Sequence, residues 1–168
     1  MSSTGAQVSA RAARDASPPA HTLHPGDVVV ADSGQRLQTL LGSCVAVVMT
    51  DPRRTIGAMC HIVHSKAPAG GAPATGAYAD TALRLMYEGL RDRGITPELC
   101  QAWVFGGGNL FPKLVRQRHV GNDNADWVVG ALARDGVRML DCQLGGAVYR
   151  RLAWTVGAGA PEIQAVEV

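Results

Sequence analysis

Cys44 and His61 are the residues whose types and spacing could do chemistry. A thiol beside an imidazole makes a nucleophile with its own base, the pairing that acyl transfer through a covalent intermediate requires. Between the two lies Asp51-Pro52-Arg53-Arg54, a turn signal with proline where a fixed φ helps. If Asp51 and Arg54 face each other across that turn, Cys44 and His61 stand directly opposite on adjacent antiparallel strands, with Cβ atoms about 4.5–5.5 Å apart. Strand alternation then keeps both side chains on one face of the sheet. Gly42-Ser43 breaks the strand pattern just before Cys44, so the thiol can face a cleft and nearby amide N–H groups can face a developing oxyanion. A neighbouring imidazolium would favour the thiolate, which is the reactive form. The same two residues also fit a plainer description, a small buried hydrophobe and a satisfied core histidine.

The other candidates are weaker. Cys60 precedes His61, and alternation sends it to the opposite, core-facing side. Cys100 and Cys142 fall near strand ends and read as structural. A zinc set of Cys44, Cys60, His61 and His64 is disfavoured, because alternation splits Cys60 from His61 and no pair has finger spacing. No metal and no cofactor are expected. Gly106-Gly107-Gly108 lacks the Lys-Ser/Thr of a phosphate loop, leaving a tight turn or a shaped rim of the site. His64 reads as a surface residue, with flanking the cleft as the alternative. Phe111-Pro112 reads as buried packing, with an exposed contact for a partner as the alternative.

These residues need elements to hold them. Short strands are expected at 28–30, 36–40, 45–49, 56–63, 102–105, 137–140, 148–155 and 163–166, from β-branched runs between turn residues. An amphipathic helix is expected at 78–93, with Ala79, Leu83, Met86 and Leu90 on one stripe and Gly94 past its end. Asn122 or Asn124 is expected to cap a second helix carrying Val128 and Leu132 and ending at Gly136. Strands outnumber helices and hairpin signals are frequent, so an α+β fold is expected, layered, with mostly antiparallel or mixed sheet and two main helices.

Bulk composition narrows the function. The 168 residues suit a single domain, and 46% hydrophobic against 18% charged residues excludes a disordered chain. A net charge of +2 without a basic run, and 5% aromatics, argue against a nucleic-acid partner. No apolar run is long enough to span a bilayer, so the protein is not expected to be embedded in a membrane. Four cysteines without a CxxC pair read as free thiols in a reducing cytoplasm. Residues 1–22, biased to Ala, Ser and Arg, read as a disordered tail, and 23–168 as one domain.

The stretch Thr39-Leu40-Leu41-Gly42-Ser43-Cys44-Val45-Ala46-Val47 resembles the signature of CheD, the chemoreceptor glutamine deamidases. Further matches follow in order: Gly57 through His61, Tyr78-Ala79-Asp80, Phe105-Gly106-Gly107, Gly121 with Asn124, and Gly145-Gly146 with Arg150. They span roughly residues 25 to 155. The resemblance implies that Cys44 is the nucleophile, His61 the general base and Thr39 the residue that orients the histidine. It also implies an α/β sandwich with a papain-like site, and deamidation of glutamines on the cytoplasmic domain of methyl-accepting chemotaxis receptors. A CheC-type phosphatase is a further implied partner, and a non-catalytic module docking it is the alternative function. A papain-like peptidase is disfavoured, since the chain shows no extended substrate-cleft segments. Asp123, Gln143, Tyr149 and His64 depart from the family pattern at positions outside the three site residues.

Overall fold

The computed structural model describes residues 19–71 and 74–168. Its strands are β1 (Ala20–Thr22), β2 (Val28–Asp32), β3 (Arg36–Leu41), β4 (Val45–Thr50), β5 (Ile56–Ile62), β6 (Gln101–Gly106), β7 (Arg138–Leu144), β8 (Val148–Thr155) and β9 (Glu162–Glu167). Helix α1 spans Ala79–Asp92 and helix α2 spans Val120–Arg134. The strands form a four-stranded sheet in the order β1-β3-β8-β9 and a five-stranded sheet in the order β2-β5-β4-β6-β7. β1 runs parallel to β3 and β6 parallel to β7, and the remaining neighbours are antiparallel. This is the expected α+β class, with two α-helices and two mixed sheets among the described residues.

Burial explains the layering. β4 reads Val-Ala-Val-Val-Met-Thr without alternation because both of its faces are covered. Val45, Val47 and Met49 join Leu83, Met86 and Leu90 of α1 and Val128 and Leu132 of α2 in one apolar cluster. Ala46 and Val48 point the other way, to Leu37, Leu41, Leu152 and Trp154 of the four-stranded sheet. The five-stranded sheet is thus the middle layer, with helices on one side and the second sheet on the other. Both helices end as expected, with Gly94 and Gly136 at positive φ and the following residue bonding back, Ile95 N–H to Leu90 O and Val137 N–H to Leu132 O.

Three expectations need correction. β1 (Ala20–Thr22) occupies part of the stretch assigned to the tail and pairs with β3. Residues 1–18 of that tail, and residues 72 and 73 of the following loop, lie outside the described residues. Helix α2 begins earlier than Asn122 or Asn124 would start it. Its N-cap is His119, whose Nδ1 accepts the Gly121 N–H at 3.0 Å, while Asn122 Oδ1 accepts the His119 N–H at 3.1 Å. A histidine in the role usually taken by Ser, Thr, Asp or Asn gives no sequence signal.

The third correction concerns register. Ala46, not Cys44, is the partner of His61 across the β4–β5 ladder, and Thr50 pairs with Gly57. The turn does close between residues 51 and 54, with Arg54 N–H donating to Asp51 O at 2.9 Å, but Thr55 and Ile56 stand between it and the first β4–β5 rung. The Asp51 carboxylate accepts N–H bonds from Thr55 (2.8 Å) and Ile56 (2.9 Å) and the Thr55 hydroxyl (2.7 Å), replacing the ladder there. Arg54 takes a left-handed conformation, φ 58°, to close the loop. The two-residue offset preserves the face, because side-chain direction repeats every two residues.

Candidate active site

The chain from Thr39 to Ala46 passes from one sheet to the other. Leu37, Thr39 and Leu41 are the buried, inward positions of β3 in the four-stranded sheet. Gly42, Ser43 and Cys44 form the crossing, and β4 then enters the middle of the five-stranded sheet. His61 lies on β5 and, like Met59, points at the interlayer space. Cys44 packs against that same interlayer cluster and is half-buried. In a regular ladder such diagonal neighbours have Cβ atoms about 7–8 Å apart, within the reach of an imidazole.

Thr39 and His61 meet between the sheets, with Thr39 Oγ1 2.8 Å from His61 Nδ1. The hydroxyl has a single proton, and it is donated to the Leu23 carbonyl at 2.9 Å. Thr39 must therefore accept from His61, which places the imidazole proton on Nδ1 and leaves a lone pair on Nε2. The histidine backbone is clasped as well, with its N–H donating to Asp27 O (3.0 Å) and its carbonyl accepting from Gly26 N–H (2.9 Å). Burial holds the imidazole below its ordinary pKa, opposed by the Asp27 charge and assisted by His24. Burial likewise pushes the Cys44 thiol up. Both shifts favour the neutral forms of the imidazole and of the thiol.

The glycine-rich loop forms the wall beside Cys44. Gly107 N–H donates to Cys44 O and Gly108 N–H to Gly42 O, both at 2.9 Å. At Gly106, φ is 120° and a Cβ would lie 2.1 Å from Cys44 O, so no side chain is tolerated. Arg150, buried on β8, donates to Gly106 O (3.2 Å) and Gly145 O (2.8 Å) and fixes the back of this wall. Among the described residues, the N–H groups of Ser43 and Cys44 have no hydrogen-bond acceptor. They are the donors available for a charge developing next to the sulfur.

The remaining candidates sort by exposure. Cys60 is fully buried on the helix side of its sheet, and its thiol is pushed up to about 12. Cys100 is buried, its thiol pushed up to about 11 by burial and by Asp51 and Glu98. Cys142 is exposed on the edge strand β7 and is not a core residue. His64 is exposed, its ring 5.3 Å from that of Tyr78. Phe111 is 64% exposed, which overturns the expectation of buried packing. Asp123 is paired with Arg118 at 2.7 Å. Among the described residues no three His, Cys, Asp or Glu side chains cluster as a metal site. A groove of about 430 Å³ opens beside Gln38, Leu40, Arg151 and Ile163, but neither Cys44 nor His61 lines it. No helix among the described residues is long and apolar enough to cross a membrane.

Sequence reasoning missed the Leu23 carbonyl and the burial of Arg150, and gave Asn124 the wrong task. A backbone carbonyl leaves no trace in residue type. Arg150 and Asn124 are polar residues in buried positions, and the surrounding pattern of apolar residues does not reveal which carbonyls they reach.

Comparison with known proteins points one way. Residues 63–165 match the family model described as CheD chemotactic sensory transduction. A probable chemoreceptor glutamine deamidase CheD 2 of Albidiferax ferrireducens is 35% identical over 141 residues, 82% of each chain. Probable chemoreceptor glutamine deamidases CheD of Pseudomonas syringae pv. syringae and Methanococcus vannielii are 34% and 31% identical, over 82% and 80% of this chain and 79% and 87% of theirs. A solved Neisseria meningitidis structure of family DUF152 overlays with TM-score 0.45 at 16% identity, covering 71% of this chain and 53% of that one.

Proposed function

The chain belongs to the CheD family, and from that premise we propose that it is a hydrolase converting glutamine side chains of methyl-accepting chemotaxis receptors to glutamate. Cys44 is the nucleophile, His61 the general base and Thr39 the residue that orients it, in a papain-like arrangement. The observation that carries this reading is the chain of bonds from Leu23 O through Thr39 Oγ1 to His61 Nδ1, which leaves Nε2 as the base on the face that Cys44 shares.

The reaction begins with both partners neutral. His61 Nε2 takes the thiol proton as Sγ attacks the carboxamide carbon, so that no standing thiolate is needed. The carbonyl oxygen becomes an oxyanion beside the N–H groups of Ser43 and Cys44. The imidazolium returns its proton to the amide nitrogen, the C–N bond breaks, and ammonia leaves a thioester on Cys44. Water then gives a proton to Nε2 and attacks the thioester, the C–S bond breaks, and the sulfur regains its proton from His61. The net change is amide plus water to carboxylic acid plus ammonia.

A non-catalytic module docking a CheC-type phosphatase would have no use for the Thr39–His61 bond. Mass spectrometry of the receptor cytoplasmic domain co-expressed with the protein tests the choice. The expected result is the mass gain of amide-to-acid exchange at particular glutamines, absent with Cys44→Ala and with His61→Ala. Equal deamidation by a folded Cys44→Ala variant would refute the mechanism.

A further inference from the structure

The β4–β5 ladder closes at Val45 and Ile62. Past that point the two chains part: Val63 N–H turns to Ala77 O, and Ser43 belongs to the crossing between the sheets. Yet the reacting pair straddles this end, Cys44 just before the last rung and His61 just before Ile62. Past the Val45–Ile62 rung no strand hydrogen bond among the described residues joins the chain entering Cys44 to the chain leaving His61.

Asn124 occupies the gap. It is fully buried on the first turns of α2, and its Nδ2 donates to Val63 O at 2.9 Å and to Ser43 O at 3.4 Å. The orientation of the carboxamide is dictated by chemistry, since a flipped group would set its oxygen against two carbonyls. The helix bearing it is held in place twice, by the His119–Asn122 cap and by contact with the glycine-rich wall, where a Cβ on Gly121 would lie 2.7 Å from Gly107 O. Its Oδ1 is buried without a partner among the described residues. An apolar side chain would fill the site without stranding an oxygen, so packing alone does not account for an asparagine here.

We propose that Asn124 is a positioning residue for the reacting pair, its buried carboxamide tying the chain that leaves His61 to the chain that enters Cys44. This rests on the assignment of Cys44 and His61 as nucleophile and base. Substrate does not touch Asn124; the bridge sets how closely Nε2 and Sγ approach.

The test compares Asn124→Ala, Asn124→Asp and Asn124→Gln in a Cys142→Ser background, which removes the exposed thiol. Two quantities are read: deamidation of receptor as kcat and KM, and the rate of Cys44 alkylation by iodoacetamide across pH, with buried Cys60 as internal reporter of an intact core. Asn124→Ala and Asn124→Asp are expected to lower kcat about tenfold or more with KM within about twofold, since sub-ångström misalignment acts on the chemical step. Asn124→Gln, which keeps the donor, is expected to recover part of the rate. Both lesions should alter the pH profile of Cys44 alkylation while Cys60 stays unlabelled. Wild-type kcat and alkylation in folded variants would overturn the proposal. So would simultaneous labelling of Cys60 and Cys44 in all three, which would make Asn124 a general fold residue. The alkylation profile needs no substrate, so it decides the positioning role even if wild-type protein fails to deamidate receptor.

Discussion

Ala46 faces His61 across the ladder, and Cys44 sits one diagonal step away on the same face. That offset puts the sulfur beyond the last rung, on the crossing between the sheets, where the chain carries no ladder bonds. A thiol directly opposite the histidine would lie within the strand, enclosed like Ala46, which is fully buried. The displaced position gives the sulfur partial access on the face that His61 shares.

The role of Thr39 is separable by its hydroxyl. Thr39→Val keeps the shape but removes the acceptor for Nδ1–H, so deamidation should slow by about tenfold to a hundredfold with little change in melting temperature. Thr39→Ser should retain much of the rate, and Thr39→Ala should be slow but active. Steady-state rates beside melting curves for the three variants check this. A fully active Thr39→Val would remove Thr39 from the site.

Acid inactivation should set in late. The base works only while Nε2 is unprotonated, so activity is present above the His61 pKa and lost as pH falls through it. Burial holds that pKa below the ordinary 6.5. The acid limb of kcat/KM should accordingly have its midpoint below 6.5, and Asp27→Asn, which removes the opposing charge, should move it lower still. An acid midpoint at or above 6.5 would contradict a base whose pKa is lowered by burial.

Thiol reactivity should divide the cysteines by exposure. Cys142 and Cys44 should be alkylated by iodoacetamide under native conditions, and Cys60 and Cys100 only after unfolding. Cys44 labelling should slow in His61→Ala, whereas Cys142 labelling should not. Peptide mapping over a time course reads all four, and early labelling of Cys60 would contradict the strand orientation.

Much of this was legible beforehand, for definite reasons. The amphipathic stripe of α1, the apolar run of β4 and the glycines past both helices are local patterns that tertiary packing preserved. Cys44 and His61 still share one face of the sheet, because a two-residue error leaves alternation intact. The register itself was not legible, because it depends on the Asp51 carboxylate, which holds the N–H groups of Thr55 and Ile56 after the turn and delays the ladder. The capping of α2 by His119, and the bridge made by Asn124, depend on contacts between segments far apart in the chain.

The Asp51 loop can be tested through stability. Burial raises the Asp51 pKa, but hydrogen bonds from Ile56 and Thr55 outweigh it and hold the carboxyl below its ordinary range. The stabilisation is therefore present above the unfolded-state pKa and is lost as pH falls through the depressed folded value. Asp51→Ala should cost about 2–4 kcal/mol in denaturant titrations at neutral pH, from the loss of three hydrogen bonds at a buried loop. Asp51→Asn should lose less, and its stability should fall less steeply on acidification than that of wild type.

Thr39 belongs to one sheet and His61 to the other, so their hydrogen bond works as a caliper on the spacing between the layers. The same layer boundary is filled elsewhere by the Trp154 indole against Gly57, where even a methyl group would sit 2.4 Å from Cζ3 of the ring. A wedge introduced there would open the caliper before it broke the sandwich. Gly57→Ala should therefore disturb the Thr39–His61 alignment as well as the packing, and deamidation should be lost on heating at a temperature where circular dichroism still shows folded sheets.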